Sequence, residues 1–115
     1  MARQPARPRT KTAAVGDNLF LLPLIQLRLL LAASRQSLSH DSLARVLATD
    51  KYILEFSELS GILSNLVRKG WISHSRTGGE LVYHTTVRGR KALREGGKHL
   101  AILARVFKNN SRRIE

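Results

Sequence analysis

The stretch from Ser57 to Thr86 constrains the fold more than any other part of this chain. Leu59, Ile62, Leu63, Leu66 and Val67 recur at i, i+3, i+4, i+7 and i+8, which makes one apolar stripe along a helix from Ser57 to Lys69. Gly70 follows Arg68 and Lys69 and supplies the stop, because glycine accepts the left-handed conformation that closes a helix. Two strand-like runs come next, Trp71 to Thr77 and Glu80 to Thr86, carrying Trp71, Ile72, Leu81, Val82 and Tyr83. They flank Gly78-Gly79, a two-residue hairpin turn. Thr86 then caps a last helix from about Val87 to Lys108, softened near its middle by Gly96-Gly97.

One striped helix and one ribbon cannot cover each other, so the apolar surface that completes the core must come from upstream. A first helix is expected from about Leu22 to Ser34, with Pro23 tolerated in its first turn. Leu24, Ile25, Leu27, Leu29, Leu30 and Leu31 surround it almost completely, and such a helix must be covered on more than one side. The second helix starts at an N-cap, Ser39, with Leu38 and Leu43 placed as a hydrophobic staple and Asp41 at the positive end of the helix dipole. It continues through Ala44, Val46 and Leu47 and ends at Thr49-Asp50-Lys51.

The fold class that results is mainly α with a small β-hairpin, a winged helix-turn-helix with a C-terminal dimerisation helix. The expected organisation is a mobile basic arm over 1–16, a winged helix-turn-helix domain over 17–86, the dimerisation helix over 87–108 and a frayed tail over 109–115.

Composition narrows the function classes. The chain has 115 residues, 20 Lys and Arg against 8 Asp and Glu, and a formal charge of +12. A charge that large repels itself unless a polyanion offsets it, so nucleic acid is the first expected partner and an anionic membrane surface the second. The absence of cysteine removes disulfides, thiolate catalysis and cysteine-ligated metals. The apolar run Leu19 to Ala33 is too short and too interrupted to span a bilayer, and it starts too far in for a secretory signal. A cytoplasmic, nucleoid-associated protein is therefore expected. His40, His74, His84 and His99 fall on different elements without paired spacing, so no metal or other cofactor is expected. No Ser-His-acid grouping, carboxylate pair or phosphate loop is visible, so an enzyme is not expected.

Three segments resemble known regulators. Leu59 to Ile72, LSGILSNLVRKGWI, resembles the recognition helix and first wing strand of PadR-like and MarR-like transcriptional regulators. Gly79 to Leu93, GELVYHTTVRGRKAL, resembles their second wing strand and the Thr-x-x-Gly start of the following helix, and Leu38 to Leu47, LSHDSLARVL, resembles their second helix. Ser60-Gly61 stands where PadR-like recognition helices carry Tyr-Pro, and Arg76-Thr77-Gly78-Gly79 lacks the acid of MarR-like wings. The resemblance implies a DNA-binding transcriptional regulator, a repressor being the expected type. A small-molecule effector in an apolar pocket lined by the first helix, as in MarR-like proteins, is possible but unsupported by any residue pattern.

With the apolar stripe facing inward, Ser57, Glu58, Ser60, Gly61, Ser64, Asn65 and Arg68 face outward, next to Lys69. Small hydroxyl and amide side chains let a helix sit deep in the major groove, where Asn pairs with adenine and Ser reaches bases or phosphates. Arg68 suits a phosphate, and Glu58 suits the helix dipole better than a cytosine. The alternative is a face that is merely solvated. Arg76 and Thr77 at the hairpin tip can reach an adjacent minor groove, or Arg76 is a solvated turn residue. Arg3, Arg7, Arg9 and Lys11 of the arm can add phosphate or minor-groove contacts, or act as a nonspecific tether.

The last helix repeats Leu93, Leu100, Leu103, Ala104 and Phe107 at three- and four-residue steps, and the first helix has a reciprocal surplus in Leu27 and Leu31. Joining the surpluses across a two-fold axis makes a homodimer, in which four such side chains per subunit contribute on the order of 6–12 kcal/mol before entropic costs. The alternative is a last helix folded back on its own domain. A two-fold dimer would place recognition helices about 34 Å apart and would read an inverted repeat.

The competing function is an architectural or accessory DNA-binding protein with low sequence preference. Four basic residues lie in 1–16 and nine in 88–115, away from the recognition helix, which suits that alternative. A protein-interaction module is disfavoured because the outward face lacks aromatic anchors. RNA binding is disfavoured because no aromatics stand on an exposed sheet.

Overall fold

The computed structural model of the chain describes residues 21–110. The basic arm over 1–16, the expected domain start at Asp17 and the tail over 111–115 lie outside the described residues. The elements run α1 (Leu21–Arg35), β1 (Leu38–Ser39), α2 (His40–Thr49), α3 (Phe56–Arg68), β2 (Ile72–Thr77), β3 (Glu80–Thr85) and α4 (Val87–Asn109). This is a winged helix: three helices around one core, a hairpin projecting from it, and a long final helix.

The core is leucine on leucine. Ile25, Leu29 and Leu30 of α1, Leu43 and Leu47 of α2, Leu59, Leu63 and Leu66 of α3, and Ile72 of β2 are all buried in one cluster. The α3 stripe therefore supplies three of its five members to the centre, while Ile62 and Val67 pack at the edges. The single buried polar side chain among the described residues is Thr85, whose hydroxyl donates to the Leu30 carbonyl at 2.8 Å and ties the end of the hairpin to α1.

Both inner helices end in Schellman motifs. After α2, Tyr52 N–H donates to the Leu47 carbonyl and Lys51 N–H to that of Ala48, with Lys51 itself left-handed at φ 73. After α3, Trp71 N–H donates to Leu66 and Gly70 N–H to Val67, with Gly70 at φ 80. The expected stops at Lys51 and Gly70 thus have a common cause in carbonyls that the helix itself leaves unsatisfied.

The hairpin pairs Ile72 with Thr85 through to Thr77 with Glu80. Gly78 and Gly79 have φ of 59 and 82, the two positive values that a type I′ turn requires and that match the twist of the strands. One strand was not expected: Leu38 and Ser39 pair antiparallel with Tyr83 and Val82, giving the order β1-β3-β2. Two residues are too few to show alternation, so only the pairing reveals them.

Thr86 holds the hairpin to the last helix. Its hydroxyl accepts from Gly89 N–H at 3.0 Å and donates to the Gly70 carbonyl at 2.7 Å, while its own N–H donates to the Trp71 carbonyl at 2.9 Å. From this cap α4 runs unbroken through Gly96-Gly97, where a softening was expected. Its first half folds back on the domain, with Leu93 against the core and Gly96 against Leu27. From Gly97 to Asn109 every residue is exposed. A Cβ added at Gly97 meets nothing within 4 Å. Gly97→Ala should therefore raise stability by about 0.5–1 kcal/mol, the helix-propensity difference, and a urea denaturation midpoint that falls or stays put would refute this.

Candidate nucleic-acid interface

The outward face of α3 is built by where the helix starts. Glu55 is the N-cap, and it forms a capping box with Glu58: the Glu55 side chain accepts from the backbone at Glu58, and Glu58 Oε1 accepts from Glu55 N–H at 3.0 Å. Glu58 is thereby committed to the helix end. Ser57, Gly61, Ser64 and Arg68 are exposed, whereas Ser60 and Asn65 are half-buried on the flanks. The outer surface of the helix is low from Ser57 to Ser64, and its cations stand at the C-terminal end.

Lys69, at the C-cap, lays its ammonium over the Trp71 ring at 4.8 Å, an arrangement that keeps the charge at the surface on an apolar support. Arg76 and Thr77 are exposed on the hairpin, and Arg76 Nη1 donates to the Gly79 carbonyl at 3.2 Å across the turn. Arg3, Arg7, Arg9 and Lys11 lie outside the described residues.

Between α3 and the hairpin is a cleft of about 330 Å³, lined by Ser39, His40, Asp41, Phe56, Ser60, Glu80, Leu81 and Tyr83. Sequence reasoning began the helix at Ser57 and so left out Phe56, its first residue. Phe56 is exposed and stacks on His40, ring centroids 4.0 Å apart. The six-residue connection 50–55 brings the starts of α2 and α3 together, and no local periodicity in the sequence reports that meeting. Glu is not among the residues that mark an N-cap in a sequence, so the Glu55–Glu58 capping box is visible only in the fold.

The four histidines do not gather. His40 is on Phe56, His74 meets Tyr83 edge-on at 6.2 Å, His84 Nε2 lies 3.3 Å from Arg90 Nη2, and His99 is on α4. Among the described residues no three of His, Cys, Asp or Glu are placed to hold a metal ion, and no helix is long and apolar enough to cross a membrane.

A second surface lies between α1 and α4. Pro23, Leu24 and Leu27 of α1 face Leu100, Leu103, Ala104 and Phe107 of α4 across an open apolar groove of about 600 Å³. Leu103 and Phe107 are 53% and 57% exposed, and Leu100 of the same groove and Leu31 are exposed as well. Of the side chains expected at a dimer interface, Leu93 and Leu27 already pack within the chain, whereas Leu31, Leu100, Leu103 and Phe107 are uncovered.

No family model matches the chain, and no curated protein is similar to it in sequence. Solved structures do match. A candidate transcriptional regulator from Thermoplasma acidophilum superposes with a TM-score of 0.72 over 83% of this chain and 97% of its own, at 19% identity. A PadR family transcription regulator from Clostridium difficile gives 0.68 over 74% and 95%, at 13% identity. The Multiple Antibiotic Resistance Repressor MarR gives 0.60 over 83% and 72%, at 19% identity. At these identities the likeness is one of fold: the chain has the winged-helix architecture of PadR-family and MarR regulators.

Proposed function

We propose that this chain is a sequence-specific regulator of transcription that binds double-stranded DNA as a homodimer on an inverted repeat and acts as a repressor. The observation that carries the reading is the α3 surface. It is low and polar at Ser57, Gly61 and Ser64, bordered by Ser60 and Asn65, and basic at Arg68 and Lys69, with a hairpin bearing Arg76 projecting beside it. In this reading Asn65, Ser64 and Ser60 read base edges, Arg68 and Lys69 take phosphates, and Arg76 and Thr77 enter the flanking minor groove. The basic arm adds contacts through Arg3, Arg7, Arg9 and Lys11. The dimer forms through the exposed half of α4 and the apolar flank of α1, and its two-fold axis imposes the inverted repeat. The PadR family and MarR structures that share the fold are described as a transcription regulator and a repressor, which supports the same reading.

Selection of the purified protein on a random duplex library, with heparin competitor at moderate salt, tests this. Enrichment of an inverted repeat is the expected result. Retention without enrichment would establish instead an architectural protein of low sequence preference, and no retention would refute DNA binding. On the selected site, a dimer that neutralises about eight phosphates should lose affinity with salt at a log–log slope near −7. A slope near zero in a salt titration would refute a phosphate-dominated interface.

A further inference from the structure

The start of α3 carries an exposed aromatic ring. Phe56 is 69% exposed, yet its ring is held in place. His40, the first residue of α2, stacks on it with planes 26° apart, and His40 Nε2 donates to the Phe56 carbonyl at 3.3 Å. The Glu55–Glu58 capping box fixes the backbone at the same point. An apolar ring ordered before binding loses little further entropy when it meets a partner.

Its surroundings select that partner. Asp41, Glu80 and Ser60 line the same cleft. The two carboxylates repel phosphate there, whereas Arg68 and Lys69 attract it at the far end of α3 and Arg76 attracts it on the hairpin. The group that fits beside Phe56 is one that offers an apolar surface next to hydrogen-bond donors. In the major groove a T·A pair does so, with the thymine C5-methyl group near the adenine amino group. We infer that Phe56, positioned by His40, packs on a thymine methyl group in each half-site and so specifies a T·A pair at that position. The inference rests on the function proposed above, with the N-terminal residues of α3 reaching the bases.

The test uses the full chain and the duplex selected above. Each thymine is replaced in turn by deoxyuridine, which deletes the methyl group and leaves every hydrogen-bonding group of the base in place. At one position per half-site the affinity should fall roughly fourfold, the effect of one buried methyl-sized group. Phe56→Ala should bind the thymine and uracil duplexes equally, and Phe56→Leu, which keeps an apolar contact, should retain part of the difference. A selected site with no uracil-sensitive position, or sensitivity that persists in Phe56→Ala, would overturn this inference and leave sequence-specific binding standing. A library that yields no selected site would overturn both.

Discussion

Replacing Gly89 with alanine should lower the stability of the domain by about 3 kcal/mol or more. Gly89 is buried in the first turn of α4, where the helix crosses the start of β2. A Cβ there would lie 2.0 Å from the Trp71 carbonyl oxygen and 2.8 Å from Thr85 Cγ2. No rotamer change moves a backbone carbonyl aside, so the relief must come from displacing α4. That displacement strains the bond from Thr86 N–H to the same carbonyl, and with it the cap that joins α3, the hairpin and α4. For a domain with a typical reserve of about 5–15 kcal/mol the loss is severe. Urea denaturation measures it directly. A midpoint within error of the parent would refute the steric role of Gly89, whereas Gly97→Ala on the same helix should shift the midpoint the other way.

The second large effect concerns assembly. In the proposed homodimer, Leu103→Glu combined with Phe107→Glu should give a monomer and reduce affinity for the proposed inverted repeat by roughly a hundredfold or more, the advantage of engaging two half-sites at once. Both side chains are more than half exposed within one chain, so their replacement leaves the core intact. In an apolar dimer interface the same two changes bury uncompensated carboxylates. Sedimentation should give a particle of twice the 12.9 kDa chain mass for the parent and of the single mass for the variant, with unchanged helicity. A variant that stays dimeric would remove this face from the interface, and a parent that is monomeric at micromolar concentration would refute the dimer itself.

The parts of the fold legible in the sequence are those decided within a few residues of chain. Ser39 and Thr86 cap the helices they were expected to cap, since a hydroxyl one residue before a helix bonds an N–H two or three residues on. Gly78-Gly79 makes the turn expected of it, because glycine reaches positive φ at little cost. The α3 stripe faces the core because its period is that of a helix. From these the winged helix follows, and so does the low polar face of α3.

The rest depended on residues distant in sequence coming together. β1 exists because Leu38 and Ser39 lie beside β3, and Gly89 must be glycine because Trp71 is there, eighteen positions back. Leu93 and Leu27 also make contacts within the chain that their spacing does not report, because periodicity shows which side of a helix is apolar and not which neighbour covers it. The role of Phe56 is not written locally, since its place at the site comes from a connection that returns α3 to the start of α2 and lays its ring on His40. Capping, turns and stripes are local physics and are written in the sequence; which surfaces meet is a property of the packed chain, and only the tertiary structure decided it.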